Sequence, residues 1–261
     1  MALPTTKIGN VDVSRLVVGG NPISGFSHGP RDKEMRDYFT TENVKKLLRR
    51  CEDAGINTCF FRADKHVMRT LNEYWNDGGT IQWVAQSAPE SEVIRNVDAV
   101  VAYGAKAMYI HGGLIDSCFE SGDFDDAKRQ LDHIHEKGIP AGCASHNPQH
   151  ILQLLEKGWD IDFFMICLYN LEGYRGKLSV SQDEKFIEAD RAKALAIFKQ
   201  IEQPCFAYKI LAAGRKDPRE AFTETCASLK PIDGINVGMY PPDADDIVGE
   251  NVALAEELLP R

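Results

Sequence analysis

The chain of 261 residues carries a formal net charge of −9 at pH 7, with its acidic side chains spread along the sequence. An acidic protein is a poor partner for nucleic acid or anionic membranes, because both are negatively charged. No apolar run approaches the ~18 residues of a membrane-spanning helix, and the first residues lack the basic end and apolar stretch of a signal peptide. We therefore expect a cytoplasmic protein that acts on a small molecule, without nucleic-acid or membrane partners.

Seven cysteines occur along the chain, and no two of them form a CxxC motif. Most lie in apolar runs, such as the one around Cys167. A disulfide framework is typical of smaller secreted chains with an even number of cysteines. The pattern therefore predicts buried free thiols in a reducing compartment.

Apolar runs typical of strands alternate with amphipathic stretches typical of helices, and this alternation predicts parallel strands joined by helices. A short hairpin opens the chain over residues 7–13, with Gly9-Asn10 as its turn. The first helix is predicted to begin with Thr41 as its N-cap and to end at Gly55. Eight further runs are predicted as strands, at 16–20, 57–61, 80–85, 107–110, 140–144, 162–168, 205–210 and 234–238.

Eight strands with helices between them predict a (β/α)8 TIM barrel in which residues 1–261 form one domain. The alternative is a doubly wound open sheet, which usually carries a GxGxxG motif after its first strand, and the Gly-Gly-Asn-Pro at 19–22 does not match it. Two long loops, 21–39 and 171–184, fall on the face where barrel enzymes keep their sites.

Polar side chains gather at the predicted strand ends, which converge on one bowl in a barrel. Four of the seven histidines point toward this bowl: His28, His66, His111 and His146. His133, His135 and His150 lie on helices and are assigned no chemistry. Further candidates at the strand ends are Arg62, Asp64, Gln86, Glu90, Asn147, Tyr169, Asn170, Lys209 and Arg215.

Several segments, in the correct order along the chain, resemble the aldo-keto reductases. These are residues 7–20, 55–57, 169–171, 207–214 and 237–251. The resemblance implies a barrel with an opening hairpin. It also implies a family activity in which a Tyr, supported by Asp, Lys and His, protonates a carbonyl while a nicotinamide delivers hydride.

The match to the four catalytic residues of that family is poor. Phe61 takes the place of the Asp, His66 that of the Tyr and Gln86 that of the Lys, so only His111 is retained. Without the Lys and Asp, no charge lowers the pKa of a proton donor. The three aspartates in 240–246 would also repel the 2′-phosphate of NADP, although Tyr208 matches the residue that stacks on the nicotinamide. NAD(P) is therefore an unfavourable cofactor.

The replacements favour non-redox chemistry by a lyase, an isomerase or epimerase, or a hydrolase acting on a small polar, sugar-like or carboxylated substrate. The predicted catalytic residues are His66, His111, Tyr169 and Lys209. The predicted substrate-binding residues are Arg62, Gln86, Asn147, Asn170 and Arg215. A histidine pair acts as general acid and base or binds a metal. A Zn²⁺, Mn²⁺ or Fe²⁺ site would draw its ligands from His28, Asp64, His66, Glu90, His111 and His146.

Three alternatives remain open at this point. Lys209 is a Schiff-base nucleophile if its pKa is lowered, or else a partner of Asp64 or Glu90. The chain is an NAD(P)H-dependent reductase if the resemblance extends to activity. It is an inactive ligand-binding barrel if Gly214-Arg215 holds a phosphate group and the histidines do no chemistry.

Overall fold

A computed structural model of the chain describes residues 3–26, 30–171 and 185–261. Ten strands occur in these ranges: β1 (Thr5–Ile8), β2 (Val11–Ser14), β3 (Leu16–Gly19), β4 (Thr58–Arg62), β5 (Gln82–Gln86), β6 (Ala107–Ile110), β7 (Ala141–Ser145), β8 (Phe163–Cys167), β9 (Cys205–Tyr208) and β10 (Gly234–Gly238). Ten α-helices accompany them: α1 (Asp32–Tyr38), α2 (Thr41–Asp53), α3 (Lys65–Asn76), α4 (Val93–Ala102), α5 (Gly112–Ser121), α6 (Asp125–Glu136), α7 (Pro148–Glu156), α8 (Glu188–Ile197), α9 (Pro218–Cys226) and α10 (Ile247–Leu258).

Strands β3 to β10 form a closed parallel barrel with helices between the strands, which confirms the predicted (β/α)8 fold. The barrel closes where β10 pairs with β3, with Ile235 opposite Leu16. Strands β1 and β2 form a separate antiparallel hairpin, as predicted. Every connection within the barrel is a crossover that returns the chain to the same end, so the carboxyl ends of all eight strands share one face.

The apolar residues form two buried cores. The inner core fills the barrel with large rings such as Phe60 and Phe206, whose centroids lie 4.8 Å apart, and the hairpin residues Ile8 and Val13 pack against it. Gly142 makes room in this core, because a Cβ there would lie 2.5 Å from the Phe163 ring. The outer core lies between strands and helices. With the inner core filled by side chains, the barrel is not a pore.

The termini of α2 show how the local sequence sets the helix bounds. Thr40, not Thr41 as expected, is the N-cap, and its hydroxyl accepts a hydrogen bond from the main-chain nitrogen of Asn43 at 3.3 Å. Gly55 follows the helix with a φ of 90°, a left-handed conformation that glycine adopts without steric cost. The predicted end of α2 at Gly55 is therefore confirmed. The predicted N-cap was one residue too late, because Thr40 and Thr41 are both threonine and both suit an N-cap.

All seven cysteines are buried free thiols, as predicted. None of the helices in the three described ranges is long and apolar enough to cross a membrane.

The buried guanidinium of Arg15 anchors the last helix to the bottom of the barrel. Its nitrogens donate to the main-chain oxygens of Asp233 at 2.5 Å, Lys230 at 3.1 Å and Pro260. Carbonyl groups buried without a donor cost free energy, so each of these hydrogen bonds is expensive to lose. Arg15 therefore joins the start of β3 to residues before β10 and after α10.

We expect Arg15→Met to lower the free energy of unfolding by about 3 kcal/mol, because it keeps the apolar stem and removes the guanidinium donor from three carbonyl groups, of which only that of Lys230 keeps a main-chain donor. Urea denaturation followed by circular dichroism measures the change. The matched control is Arg49→Met, which removes an exposed guanidinium bonded to the Asp77 carbonyl and should change stability by about 0.5 kcal/mol or less. Equal losses in both variants would contradict the anchoring role.

Candidate active site

A cavity of about 820 Å³ opens at the carboxyl ends of the barrel strands. This volume suits a ligand larger than a three- or four-carbon fragment. Its wall includes many of the predicted site residues: Arg62, Gln86, His111, His146, Lys209 and Arg215. Tyr208, Ser24 and Asn236 also line it.

His111 follows β6 and is the N-cap of α5. Its Nδ1 accepts a hydrogen bond from the main-chain nitrogen of Gly113 at 2.9 Å, so this ring nitrogen carries no proton. The neutral ring therefore bears its hydrogen on Nε2. Burial, followed by the electrostatic effects of His146, Arg62 and Lys209, lowers the pKa of His111 to about 3. His111 is thus a neutral hydrogen-bond donor at neutral pH.

His146 follows β7 and forms a buried dyad with Asp116 of α5. Its Nδ1 lies 2.8 Å from Asp116 Oδ2, and the Asp116 carboxylate is fully buried. Burial acts to raise the pKa of Asp116, but the hydrogen bond and charge of His146 and the hydrogen bond from Ser145 hold it below its ordinary value. An ionised carboxylate accepts a hydrogen bond from Nδ1–H, so the neutral form of the ring carries its lone pair on Nε2.

The two rings lie edge to face, with centroids 5.7 Å apart and an angle of 65° between their planes. His111 has its hydrogen on Nε2, and His146 has its lone pair on Nε2, so the pair presents a donor and a base to the same cavity. His150 lies behind them, 3.2 Å from Ser145 Oγ and stacked on Phe119. Asp116 and Ser145 thus connect His150 to the pair without placing it on the cavity wall.

Lys209 follows β9 and has a φ of 62°, in the left-handed region. This conformation ends the strand at Tyr208, whereas the sequence predicted a strand through Ile210. The Lys209 ammonium lies 5.5 Å from the centroid of the Tyr208 ring, whose hydroxyl donates to the Ser145 carbonyl at 3.0 Å. Burial lowers the pKa of Lys209, with Lys185 acting in the same direction.

Three predicted substrate-binding residues lie at the cavity wall. The Arg62 guanidinium pairs with Glu90 and lies 3.8 Å from Asp64. Gln86 is hydrogen-bonded to the Tyr109 hydroxyl. Arg215 packs 4.9 Å from the centroid of the Phe186 ring and donates to the Ala212 carbonyl at 2.9 Å.

Other predicted residues lie elsewhere. His66 is exposed in the first turn of α3, because β4 continues to Arg62 and Asp64 already caps the helix by accepting from Val67 at 3.0 Å. The predicted pair of His66 with His111 is therefore replaced by His146 with His111. Tyr169 is a core residue with 1% of its surface exposed, packed edge-on against Phe186.

Two predicted substrate ligands also lie off the wall. Asn147 caps α7, where its side chain accepts from the main-chain nitrogen of Gln149 at 3.1 Å. Asn170 lies between the buried residues Tyr169 and Leu171, and it is not among the described residues that line the cavity.

The predicted metal ligands are dispersed. His28 lies outside the described residues. Asp64 and Glu90 are engaged with Arg62, and His66 faces solvent. Within the described ranges, no group of three or more His, Cys, Asp or Glu side chains could hold a metal ion.

Asp116 is the site residue that the sequence analysis missed. It lies in the helix that follows β6 rather than at a strand end, so a search of strand ends passes over it. The available signal was a lone carboxylate between Ile115 and Cys118, both buried, one turn after His111. An acidic residue on the buried face of a helix needs a partner.

The segment after β10, where the sequence analysis expected repulsion of a phosphate group, carries carboxylates that have partners within the chain. Asp246 occupies the start of α10, where its carboxylate accepts from Gly249 at 3.1 Å and pairs with Arg50. Asp243 pairs with Arg31 at 2.8 Å on the cavity rim. A phosphate group would meet these carboxylates at a helix start that is already capped.

Comparisons with known proteins establish the fold alone. No protein-family model and no curated protein sequence matches the chain. Among solved structures, PA4992 from Pseudomonas aeruginosa, described as an aldo-keto reductase, is similar with a TM-score of 0.65 and 16% identity, covering 97% of this chain and 95% of that one. The aldo-keto reductase AKR11C1 from Bacillus halodurans is similar with a TM-score of 0.63 and 14% sequence identity, covering 99% of this chain and 93% of that one.

Barrels with other activities are also similar in fold. A truncated 3-deoxy-D-arabino-heptulosonate 7-phosphate synthase from Thermotoga maritima gives a TM-score of 0.58 and 10% identity, covering 98% of this chain and 90% of that one. The expected likeness in fold to aldo-keto reductases is confirmed, and the barrel by itself is compatible with several reaction classes.

The pKa of His111 predicts a pH dependence of stability. An unfolded histidine titrates near about 6.5, so between that pH and about 3 the unfolded chain binds a proton that the folded chain does not. Acidification through this window therefore lowers the free energy of unfolding. His111→Asn keeps an N-cap acceptor and removes this dependence.

We expect urea denaturation from pH 6.5 to pH 4.5 to show a slope about 1 kcal/mol per pH unit shallower in His111→Asn than in the unsubstituted protein. Above about pH 7.5 the two curves should run parallel, because His111 is neutral in both states there. The same slope for both proteins at acidic pH would mean that folding does not exclude the proton from His111.

Proposed function

We propose that the chain is a non-redox enzyme that moves protons on a hydroxylated carbonyl compound, as an isomerase or epimerase or as a lyase. The observation that carries this proposal is the contrast between the Nδ1 partners of two neighbouring imidazoles, a carboxylate for His146 and a main-chain N–H for His111. Asp116 leaves the lone pair of His146 on Nε2, and the start of α5 leaves the hydrogen of His111 on Nε2. A base and a neutral donor on one wall suit the removal of a proton next to a carbonyl group.

In the proposed reaction, His146 Nε2 removes a proton from the carbon beside the carbonyl group, while His111 Nε2–H donates to the carbonyl oxygen. Asp116 stabilises the imidazolium that forms on His146. The guanidinium of Arg62 favours the negative charge that develops on oxygen. Return of the proton to a different carbon gives isomerisation or epimerisation, and loss of a neighbouring substituent gives elimination.

Two unsatisfied polar atoms support a hydroxylated substrate. Ser24 Oγ and Asn236 Oδ1 are buried at the cavity wall, and neither has a hydrogen-bond partner among the described residues. Such atoms cost free energy unless a ligand or water bonds them. A substrate hydroxyl group both donates and accepts, so it can form a hydrogen bond with Ser24 Oγ or with the Asn236 amide. This holds whether the amide oxygen or the amide nitrogen of Asn236 faces the cavity.

The first test is proton exchange with solvent. We expect the protein, incubated in D2O with a panel of aldoses, ketoses and sugar acids, to place deuterium beside the carbonyl group of at least one of them, as detected by NMR. His146→Asn and Asp116→Asn should each slow this exchange by about 100-fold, because they remove the base or release its ring.

His133→Asn is the matched control, because this histidine pairs with Asp98 on α4, away from the cavity. It should exchange at the rate of the unsubstituted protein. No exchange with any compound, or full exchange by His146→Asn, would refute the proposal; the former result together with saturable binding would favour a ligand-binding barrel.

A second test addresses the cofactor. We propose that NAD(P)H has no specific site, because the helix start after β10 is capped by Asp246 and flanked by Asp243. We expect no change in NADPH fluorescence and no thermal stabilisation at millimolar NADPH. A micromolar dissociation constant, which would stabilise the fold by about 3 to 4 kcal/mol at that concentration, would restore the reductase interpretation.

A further inference from the structure

Lys209 is a cation of the cavity wall without a carboxylate partner among the described residues. The two carboxylates that the sequence offered as partners, Asp64 and Glu90, lie instead beside Arg62. A lysine held within the protein and left unpaired either binds an anion or acts as a neutral amine. Both uses would place its Nζ next to the substrate.

The backbone at Lys209 is held in a conformation that ordinary residues avoid. Three non-glycine residues in the described ranges have positive φ, and all lie in this one loop: Lys209 at 62°, Ala212 at 49° and Ala213 at 56°. Each such residue costs about 1 kcal/mol or more, so the surrounding structure must impose it. Backbone strain of this kind clusters at functional sites.

Arg191 of α8 supplies the constraint. It is fully buried, and its guanidinium donates to the Ile210 carbonyl at 2.9 Å, directly after Lys209. The same guanidinium donates to the Ala221 carbonyl and to Thr225 Oγ1, both at 3.0 Å, on α9. The loop is thereby fixed to two helices, and the lysine stem is directed to the cavity by a rigid support.

The surroundings of Lys209 favour the neutral amine. Burial is the main cause that lowers its pKa, and Lys185 acts in the same direction, while Cys167 and Asp116 oppose it. A lowered pKa raises the fraction of amine that can attack a carbonyl group at neutral pH. His111 and His146 lie on the same cavity wall to transfer the protons that such an attack requires.

We propose that Lys209 forms a Schiff base with the carbonyl carbon of the substrate. The inference rests on the carbonyl substrate of the proposed function and adds a covalent step to it. The neutral amine adds to the carbonyl carbon to give a carbinolamine, which takes up a proton on oxygen and loses water to give a protonated imine. Removal of the neighbouring proton delivers an electron pair to the imine nitrogen and gives an enamine; cleavage of the neighbouring carbon–carbon bond does the same when the hydroxyl on the departing fragment loses its proton and the fragment leaves as a second carbonyl compound. The enamine then takes up a proton on carbon, which restores the imine. Hydrolysis returns the amine, so no oxidant or reductant is consumed.

The competing role for Lys209 is a fixed cation that binds a carboxylate or phosphate of the substrate. Substitution of Lys209 by arginine distinguishes the fixed cation from the Schiff-base amine. Arg keeps the positive charge but does not form an imine with a carbonyl compound under these conditions. Lys209→Arg therefore retains an anion site and abolishes a Schiff base, whereas Lys209→Ala abolishes both.

The experiment uses formaldehyde, which is small enough to enter the cavity whatever the natural substrate is. The protein is treated with limiting formaldehyde and cyanoborohydride at pH 7, and methylation of each lysine is read by peptide mass spectrometry. We expect Lys209 to react faster than exposed Lys106, because burial lowers the pKa of Lys209 and so raises its fraction of neutral amine. A rate no greater than that of Lys106 would overturn the proposal.

The second step repeats the trapping with dihydroxyacetone and borohydride, on the unsubstituted protein, Lys209→Arg and the matched surface control Lys106→Arg. We expect one adduct at Lys209, its loss in Lys209→Arg and its retention in Lys106→Arg. An adduct at other lysines only, or full exchange activity in Lys209→Arg, would overturn the covalent step. Rapid labelling of Lys209 without any exchange activity would refute the proposed reaction and leave the reactive lysine established.

Discussion

The carboxylate of Asp116 is fully buried in α5, and it accepts hydrogen bonds from the end of β7. The donors are Ser145 Oγ at 2.6 Å, the main-chain nitrogen of His146 at 3.1 Å and His146 Nδ1 at 2.8 Å. A buried carboxylate costs several kcal/mol unless such donors surround it. These bonds join the βα units of β6 and β7 at the cavity, so the position and the tautomer of His146 both follow from them.

Helix α5 also sets His111, but there it provides a donor to Nδ1 rather than an acceptor. His111 meets a donor at its Nδ1, because the first main-chain nitrogens of α5 lack partners within the helix. The positive end of the helix dipole also disfavours a charged ring there. His146 meets an acceptor at its Nδ1, which favours a proton on that atom. One helix therefore sets both imidazoles, through its start for His111 and through Asp116 for His146.

The sequence was sufficient for the barrel, the hairpin and part of the site, because strand ends are visible as the ends of apolar runs. His111, Lys209 and Arg62 reach the cavity for that reason. His66 does not reach the cavity. Strand β4 ends one residue later than predicted, at Arg62, and Asp64 caps α3, so His66 lies in the first turn of that helix and is exposed to solvent. Asp116 was hidden, because its role depends on a contact 30 residues away in sequence.

The left-handed backbone of Lys209 was equally invisible in the sequence. Lysine carries no local signal for positive φ, and the constraint comes from Arg191, a distant residue on α8. A conformation imposed by tertiary hydrogen bonds cannot be read from local propensity. The strand was accordingly predicted two residues too long, at the point where the chain turns toward the cavity.

The charges of the cavity wall differ in sign from those of the chain as a whole. The net charge is −9, yet Arg62, Lys209 and Lys185 line the cavity, and the rim carboxylate of Asp243 is paired with Arg31. Burial lowers the proton affinity of both His111 and Lys209, and the positive charge of Lys209 adds to this effect on His111. Burial disfavours charge of either sign, so any preference for a negative group comes from the cationic side chains themselves. We propose that the Arg62 guanidinium on this wall is complementary to the oxyanion that proton removal beside a carbonyl group would create.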